Sequence, residues 1–152
     1  MIEVTDLAVG YTQPILQKIN LQIRPGSFWG IIGSNGIGKS TFLKTIGGIL
    51  PPLHGTIRLD GISMPELDIG DRSLKIAVVS PESFDAGNFT VFEIAAFGRY
   101  PHQGYWGRLG KEDHRIIDAY LEIFRLIPLR NRRFKEISQG EAQRTLIARA
   151  LI

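Results

Sequence analysis

The sequence predicts an α/β fold, and three observations carry the prediction. A short apolar run at residues 28–32 leads into a glycine-rich loop, and residues spaced as a helix follow it directly. Residues 2–24 alternate apolar and polar side chains in runs separated by turn signals, as half-buried strands do. Beyond residue 82 the pattern changes to a helical period.

Taken in order, residues 2–9 form a first strand rich in β-formers. Gly10 to Pro14 make a turn, and residues 15–24 form a second strand, with Ile19, Leu21 and Ile23 on one face and Pro25-Gly26 ending it. Residues 28–32 read as a buried strand and residues 39–47 as a helix, stopped by Gly47, Gly48, Pro51 and Pro52. Residues 56–59 form a strand closing on an Asp60-Gly61 hairpin turn. Residues 62–73 are loop with a short helix, and residues 74–79 are a second buried strand, stopped by Ser80-Pro81. Helices are predicted over residues 91–99 and 114–126, the latter through Ile116, Ile117, Tyr120, Leu121 and Phe124, and from Ser138 onward.

The composition is that of a folded domain: 152 residues, 43% hydrophobic and 22% charged. Cysteine is absent, which excludes disulfides and thiolate metal sites. Residues 1–4 enter a strand at once, without the basic-then-apolar pattern of a secretory leader. No run approaches the ~18 apolar residues of a membrane span, so membrane association is expected through a partner. The net charge of +3 permits anionic ligands without demanding nucleic acid. Tyr105, Trp106 and Arg108 and the basic run at residues 130–135 read as a solvated face, so nucleic acid is not the expected partner.

The loop carries the chemistry. Residues 33–41 read GSNGIGKST, three glycines, a lysine and two hydroxyl residues at phosphate-loop spacing between a strand and a helix. Gly33, Gly36 and Gly38 lack a Cβ, so their main chain can take φ > 0 and approach an anion closely. The amides of Ser34, Asn35, Ile37 and the first helical turn then face the phosphates, helped by the positive end of the helix dipole. Lys39 is placed to reach the β- and γ-phosphates, Ser40 to coordinate Mg²⁺, and Thr41 to complete the cradle. The loop reads as a P-loop, and its expected ligands are a nucleoside triphosphate and Mg²⁺.

A second anion-accepting element lies about a hundred residues on. Ser138 is an N-cap and Glu141 completes a capping box, leaving the amides of Ser138, Gln139 and Gly140 at a helix N-terminus. With residues 137–144, ISQGEAQR, joined in this order to the phosphate loop, the whole chain resembles an ATP-binding-cassette (ABC) ATPase subunit. The resemblance implies an ABC-type P-loop core with an antiparallel β-subdomain and a helical subdomain, truncated before the acidic (Walker B) strand. Residues 1–81 would be the α/β nucleotide-binding core, 82–136 the helical subdomain and 137–152 the signature segment and its helix. It also implies that Tyr11 stacks on adenine, where the alternative is an ordinary turn tyrosine. Ser138, Gln139, Gly140 and Glu141 would close over nucleotide held by a second subunit.

The chain departs from the family in three places. Gln139 stands where glycine is usual, and its side chain either crowds the nucleotide or lies aside and adds a hydrogen bond. Residues 80–83, Ser-Pro-Glu-Ser, lack the usual glutamine; Glu82 is a candidate oxygen ligand for Mg²⁺ or else an exposed loop glutamate. The chain stops at Ile152, before the acidic strand and a later histidine, so the resemblance implies ATP hydrolase chemistry whose groups are not all in these residues. The expectation is weak nucleotide binding with negligible hydrolysis, and a core sheet with exposed apolar surface where that strand would lie.

Residues 90–94 and the run Gly98, Arg99, Tyr100, Pro101, His102 look like importers of iron–siderophore, haem or cobalamin. The residue chemistry alone makes Arg99 and His102 a solvated helix end. The implied role is the ATPase subunit of such an importer, on the cytoplasmic side and peripheral to the inner face of the plasma membrane. Its partners would be a second ATPase copy, a transmembrane permease and, indirectly, a solute-binding protein. The competing readings are a soluble ABC protein acting on ribosomes or DNA, and a non-catalytic nucleotide-binding fragment.

Overall fold

Strand β1 (Ile2–Gly10) is an inner strand of the four-stranded sheet in the N-terminal unit. The computed structural model describes residues 1–80, 86–103 and 107–152, in two units, Met1–Ile76 and Ala77–Ile152.

In the first unit β1 pairs antiparallel with β2 (Pro14–Ile23) on one side and β3 (His54–Leu59) on the other. The short β4 (Ile62–Ser63) completes the order β2-β1-β3-β4. The register sets Val4 opposite Leu21 and Ile57, which puts apolar side chains on one face. A bulge between Val4 and Leu7 goes with Asp6 at φ 47°, where the Asp6 amide donates to Asn20 Oδ1 at 2.9 Å. At the β3–β4 turn Asp60 and Gly61 take φ of 52° and 82°, the two left-handed positions of a type I′ hairpin predicted from the Asp-Gly pair. Asp60 also holds two cations there, the Met1 ammonium at Oδ1 and Lys75 at Oδ2.

Helix α1 (Lys39–Ile46) lays Phe42 and Ile46 against Val4, Leu7, Val9, Ile57 and Met64. It stops at Gly47, with Gly48 at φ 72°, as the paired glycines require. A single 3₁₀ turn (Met64–Glu66) and α2 (Ile69–Ser73) follow, the latter capped by Asp68, whose carboxylate accepts from the Asp71 amide at 2.7 Å.

Two predicted buried strands do not form. Residues 28–32 and 74–79 carry no strand pairing, and Phe28 and Ile32 are 98% and 99% exposed. Leu74 and Val79 are exposed as well. A strand exists only when a neighbour supplies its hydrogen bonds, and among the described residues none pairs with either segment.

The second unit is helical. Helices α3 (Val91–Ala96), α4 (Lys111–Ile123) and α5 (Gln139–Leu151) enclose Val91, Ala95, Ile117, Leu121, Leu126 and Ala148, all 0% exposed. The predicted helix over 91–99 divides: α3 tightens into a 3₁₀ segment (Phe97–His102) carrying Pro101, which cannot donate to an α-helical ladder. Helix α4 begins three residues before the predicted start, because the Asp113 carboxylate accepts the Gly110 amide at 2.8 Å and caps it there. It ends before residue 126, with Arg125 at φ 57° and the Leu126 amide turned back to the Leu121 carbonyl at 2.7 Å. No helix among the described residues is long and apolar enough to cross a membrane.

Candidate functional site

The loop is shaped by two glycines and one lysine. Gly36 and Gly38 have φ of 81° and 105°, left-handed conformations that an L side chain rarely adopts. Gly33 was expected to share this property and does not; it is absent from the positive-φ positions, and its turn needs only an ordinary backbone. Gly38 is buried, and a Cβ there would lie 2.9 Å from Ile15 Cγ2 and 3.2 Å from Leu16 Cγ. The start of β2 therefore presses against the end of the loop. Tyr11 lies in the turn just before β2 and is 63% exposed.

Lys39 Nζ donates to the Gly33 carbonyl at 2.8 Å and the Ser34 carbonyl at 2.7 Å. The ammonium thus spans the loop from its helical end to its beginning. Asn35 and Ile37 lie on the exposed arc between, where the Ile37 amide turns back to the Ser34 carbonyl at 3.5 Å. Ser40, second in α1, is exposed, whereas Thr41 is 8% exposed and built into the core. The Thr41 carbonyl accepts the Thr45 hydroxyl at 2.9 Å. Thr41 thus holds the helix, and Ser40 is the hydroxyl available to a cation.

These features fit a triphosphate. The glycines leave no Cβ at the two left-handed positions of the loop, a helix N-terminus opens onto it, and the Lys39 ammonium lies across it. Lys39 would hold the phosphates and Ser40 the metal. Glu82, the other candidate ligand, lies outside the described residues, as do Tyr105 and Trp106. Among the described residues no cluster of three or more His, Cys, Asp or Glu could hold a metal unaided.

In the second unit the predicted capping box at α5 forms in full. The Ser138 amide and hydroxyl donate to Glu141 Oε2 at 2.7 and 2.8 Å, and the Glu141 amide returns to Ser138 Oγ at 3.4 Å. The Ser138 amide, expected to be free, is therefore occupied by its own cap. The Gln139 and Gly140 amides occupy the first two helical positions, ahead of the i→i−4 ladder. The Ser138 amide holds the Glu141 carboxyl below the usual range, with the Ser138 hydroxyl and the cations of Arg144 and Arg132 adding to it. Gln139 and Gly140 are exposed, and the nearest atom to a Cβ at Gly140 would be Arg144 Nη1, 4.0 Å away. The chain's own packing does not ask for glycine here.

Arg99 is not the solvated helix end that its sequence position suggested. Its Nε donates to Asp113 Oδ1 at 2.7 Å and its Nη1 to the Ile152 carbonyl at 3.1 Å, with the Arg99 side chain only 16% exposed. His102 is exposed. Sequence reading missed Asp113, Ile15 and Leu16. The glycine directly before Arg99 was a signal that a neighbour comes close there.

A family model described as ABC transporter matches residues 16–152. An ABC transporter ATP-binding protein of Methanocaldococcus jannaschii is 40% identical over 152 residues, covering 99% of this chain and 52% of its own. The iron(3+)-hydroxamate import ATP-binding protein of Bacillus subtilis is 35% identical over 146 residues, covering 95% of this chain and 54% of its own. Among solved structures, a dimeric ATP-binding cassette in a post-hydrolysis state with ADP and Pi superposes with a TM-score of 0.80. It is 25% identical, over 99% of this chain and 69% of that one. The chain spans about half the length of these two relatives.

Proposed function

We propose that this chain, which belongs to the ABC transporter family, is the ATP- and Mg²⁺-binding part of an importer ATPase subunit that carries an iron chelate or haem. The observation that carries the reading is the Lys39 ammonium lying across a loop whose Gly36 and Gly38 have left-handed backbones. In this reading an arriving phosphate replaces the Gly33 and Ser34 carbonyls as partner of Lys39. An ion pair with phosphate is a stronger hydrogen bond than one to a neutral carbonyl. Ser40 turns its hydroxyl to Mg²⁺, which when bound neutralises phosphate charge, and Tyr11 offers an aromatic face to the base.

Ser138, Gln139, Gly140 and Glu141 would meet the phosphates held by a second copy. The capping box keeps that helix end rigid, and the open space at Gly140 leaves room for an anion. Support for the cargo comes from the iron(3+)-hydroxamate relative and from the run at residues 98–102. A permease partner on the cytoplasmic face of the membrane, with a solute-binding protein beyond it, completes the reading.

Titration of a fluorescent ATP analogue with Mg²⁺ tests it. Lys39→Ala should weaken binding at least about tenfold, or ~1.4 kcal/mol, with the unfolding midpoint unchanged. Equal affinity in the variant would overturn the assignment.

A further inference from the structure

We propose that Gly98 and Arg99 form a joint that sets the tilt of α5, so that Arg99 is a positioning residue for residues 138–141 at the far end of that helix. The joint is built from main chain and one planar cation. A Cβ on Gly98 would lie 2.2 Å from the Arg149 carbonyl oxygen and 3.0 Å from Ile152 Cβ, so the 3₁₀ segment touches the last turn of α5 directly. Beside it the Arg99 guanidinium donates in two directions, from Nη1 to the Ile152 carbonyl and from Nε to Asp113 Oδ1. Asp113 in turn caps α4 through the Gly110 amide. One side chain therefore ties the last described turn of α5, whose Ala148 and Ile152 are also buried in the apolar core, to the start of α4, with Arg99 and Asp113 only 16% and 18% exposed. Lysine, with one nitrogen, cannot reproduce this fork.

The rest of α5 explains why its end matters. Its middle rests on a small cluster, where Ala142 and Leu146 pack against Ala86, Ile94 and Phe134. That cluster is a pivot and the Gly98–Arg99 contact is the anchor beyond it. A helix of 13 residues is about 20 Å long. A tilt of about 10° about its middle would move its first turn by about 1.5–2 Å, more than a hydrogen bond tolerates. The functional meaning of the tilt rests on the phosphate-facing reading of residues 138–141; the positioning itself does not.

Because the chain has no cysteine, nitroxide labels can be placed at Gln139→Cys on α5 and Glu122→Cys on α4, both exposed positions, and their separation read by pulsed electron paramagnetic resonance. The otherwise unchanged chain should give one narrow distance distribution. Arg99→Ala should broaden it or shift it by about 1.5–2 Å, and Arg99→Lys should not restore it. A lowered melting temperature with the distribution unchanged would mean a merely structural role and would overturn the proposal. If Arg99→Ala loses its helical circular dichroism, Gly98→Ala decides, since its methyl must push the Arg149 carbonyl away; an unmoved distance there overturns the proposal equally. No nucleotide enters the measurement, so it can fail or succeed separately from the Lys39 titration.

Discussion

The Arg130 guanidinium lies over the ring of Phe92, its central carbon 3.9 Å from the ring centroid, while its Nε donates to Asp118 at 2.8 Å. The main chains meet as well, with the Phe92 amide donating to the Arg130 carbonyl at 3.0 Å. On Phe92 stacks the His114 ring, at a centroid distance of 5.1 Å and 20° between planes. The pair ties the start of α3 to the segment following α4. The ion pair is partly exposed and worth at most ~1 kcal/mol, and the cation–π contact adds ~0.5–1 kcal/mol. Arg130→Ala should therefore lower stability by about 1–2 kcal/mol in urea unfolding. Arg130→Lys should recover less than half of that, since an ammonium cannot lie flat on the ring and reach Asp118 together.

Gly38 gives a sharper test of the loop than any polar residue. Alanine there must hold φ near 105° and place its methyl 2.9 Å from Ile15 Cγ2. The strained backbone costs about 1–3 kcal/mol, and relief of the clash moves the loop away from β2. Gly38→Ala should lose both nucleotide affinity and stability, whereas Lys39→Ala should lose affinity alone. Calorimetry and nucleotide titration on the two variants would separate them.

The capping box predicts a response to acid. Glu141 has a carboxyl pKa lowered in the folded chain from its ordinary value of 4.5, chiefly by the Ser138 amide. A depressed carboxyl stabilises the fold above its unfolded pKa and loses that contribution as pH falls through the folded value. The first turn of α5 should therefore be intact at neutral pH and loosen only below the usual glutamate range. The amide resonances of Ser138 and Glu141 would report the transition, and Glu141→Gln should abolish it. Ser138→Ala should cost ~0.5–2 kcal/mol at neutral pH by removing the cap itself.

Exposed apolar side chains at residues 28–32 should drive association of this 152-residue chain. Phe28→Ser with Ile32→Thr removes two nearly fully exposed apolar groups that pack on nothing in the described residues. Sedimentation velocity should show less self-association in the double variant, with the thermal midpoint within a degree or two of the parent. A loss of stability would mean that these side chains are packed.

The parts legible in the sequence were those set by neighbouring residues. The Gly36–Gly38 backbone, the Asp60-Gly61 turn and the Ser138–Glu141 box each depend on side chains within three residues of one another, so spacing alone described them. Residues 28–32 and 74–79 show the limit of that reading. Their apolar character marks surface that favours burial, but a strand needs a partner distant in sequence, and hydropathy carries no record of one. Arg99 was misread for the same reason: its two acceptors lie 14 and 53 residues away. Near Gly38 the missing information was the approach of Ile15 and Leu16, a contact between a strand and a loop that no periodicity encodes.

The contact between the Met1 ammonium and Asp60 bears on how the protein can be handled. Asp60 sits in a tight reverse turn, and its carboxyl is held below the ordinary range first by that ammonium and then by Lys75. A fusion or acetyl group at the amino terminus would turn the ammonium into a neutral amide and leave Asp60 with Lys75 as its one remaining cation of the two. A purification handle attached there alters the charge balance of the sheet it is meant only to carry, whereas a handle released to regenerate the free amine restores it.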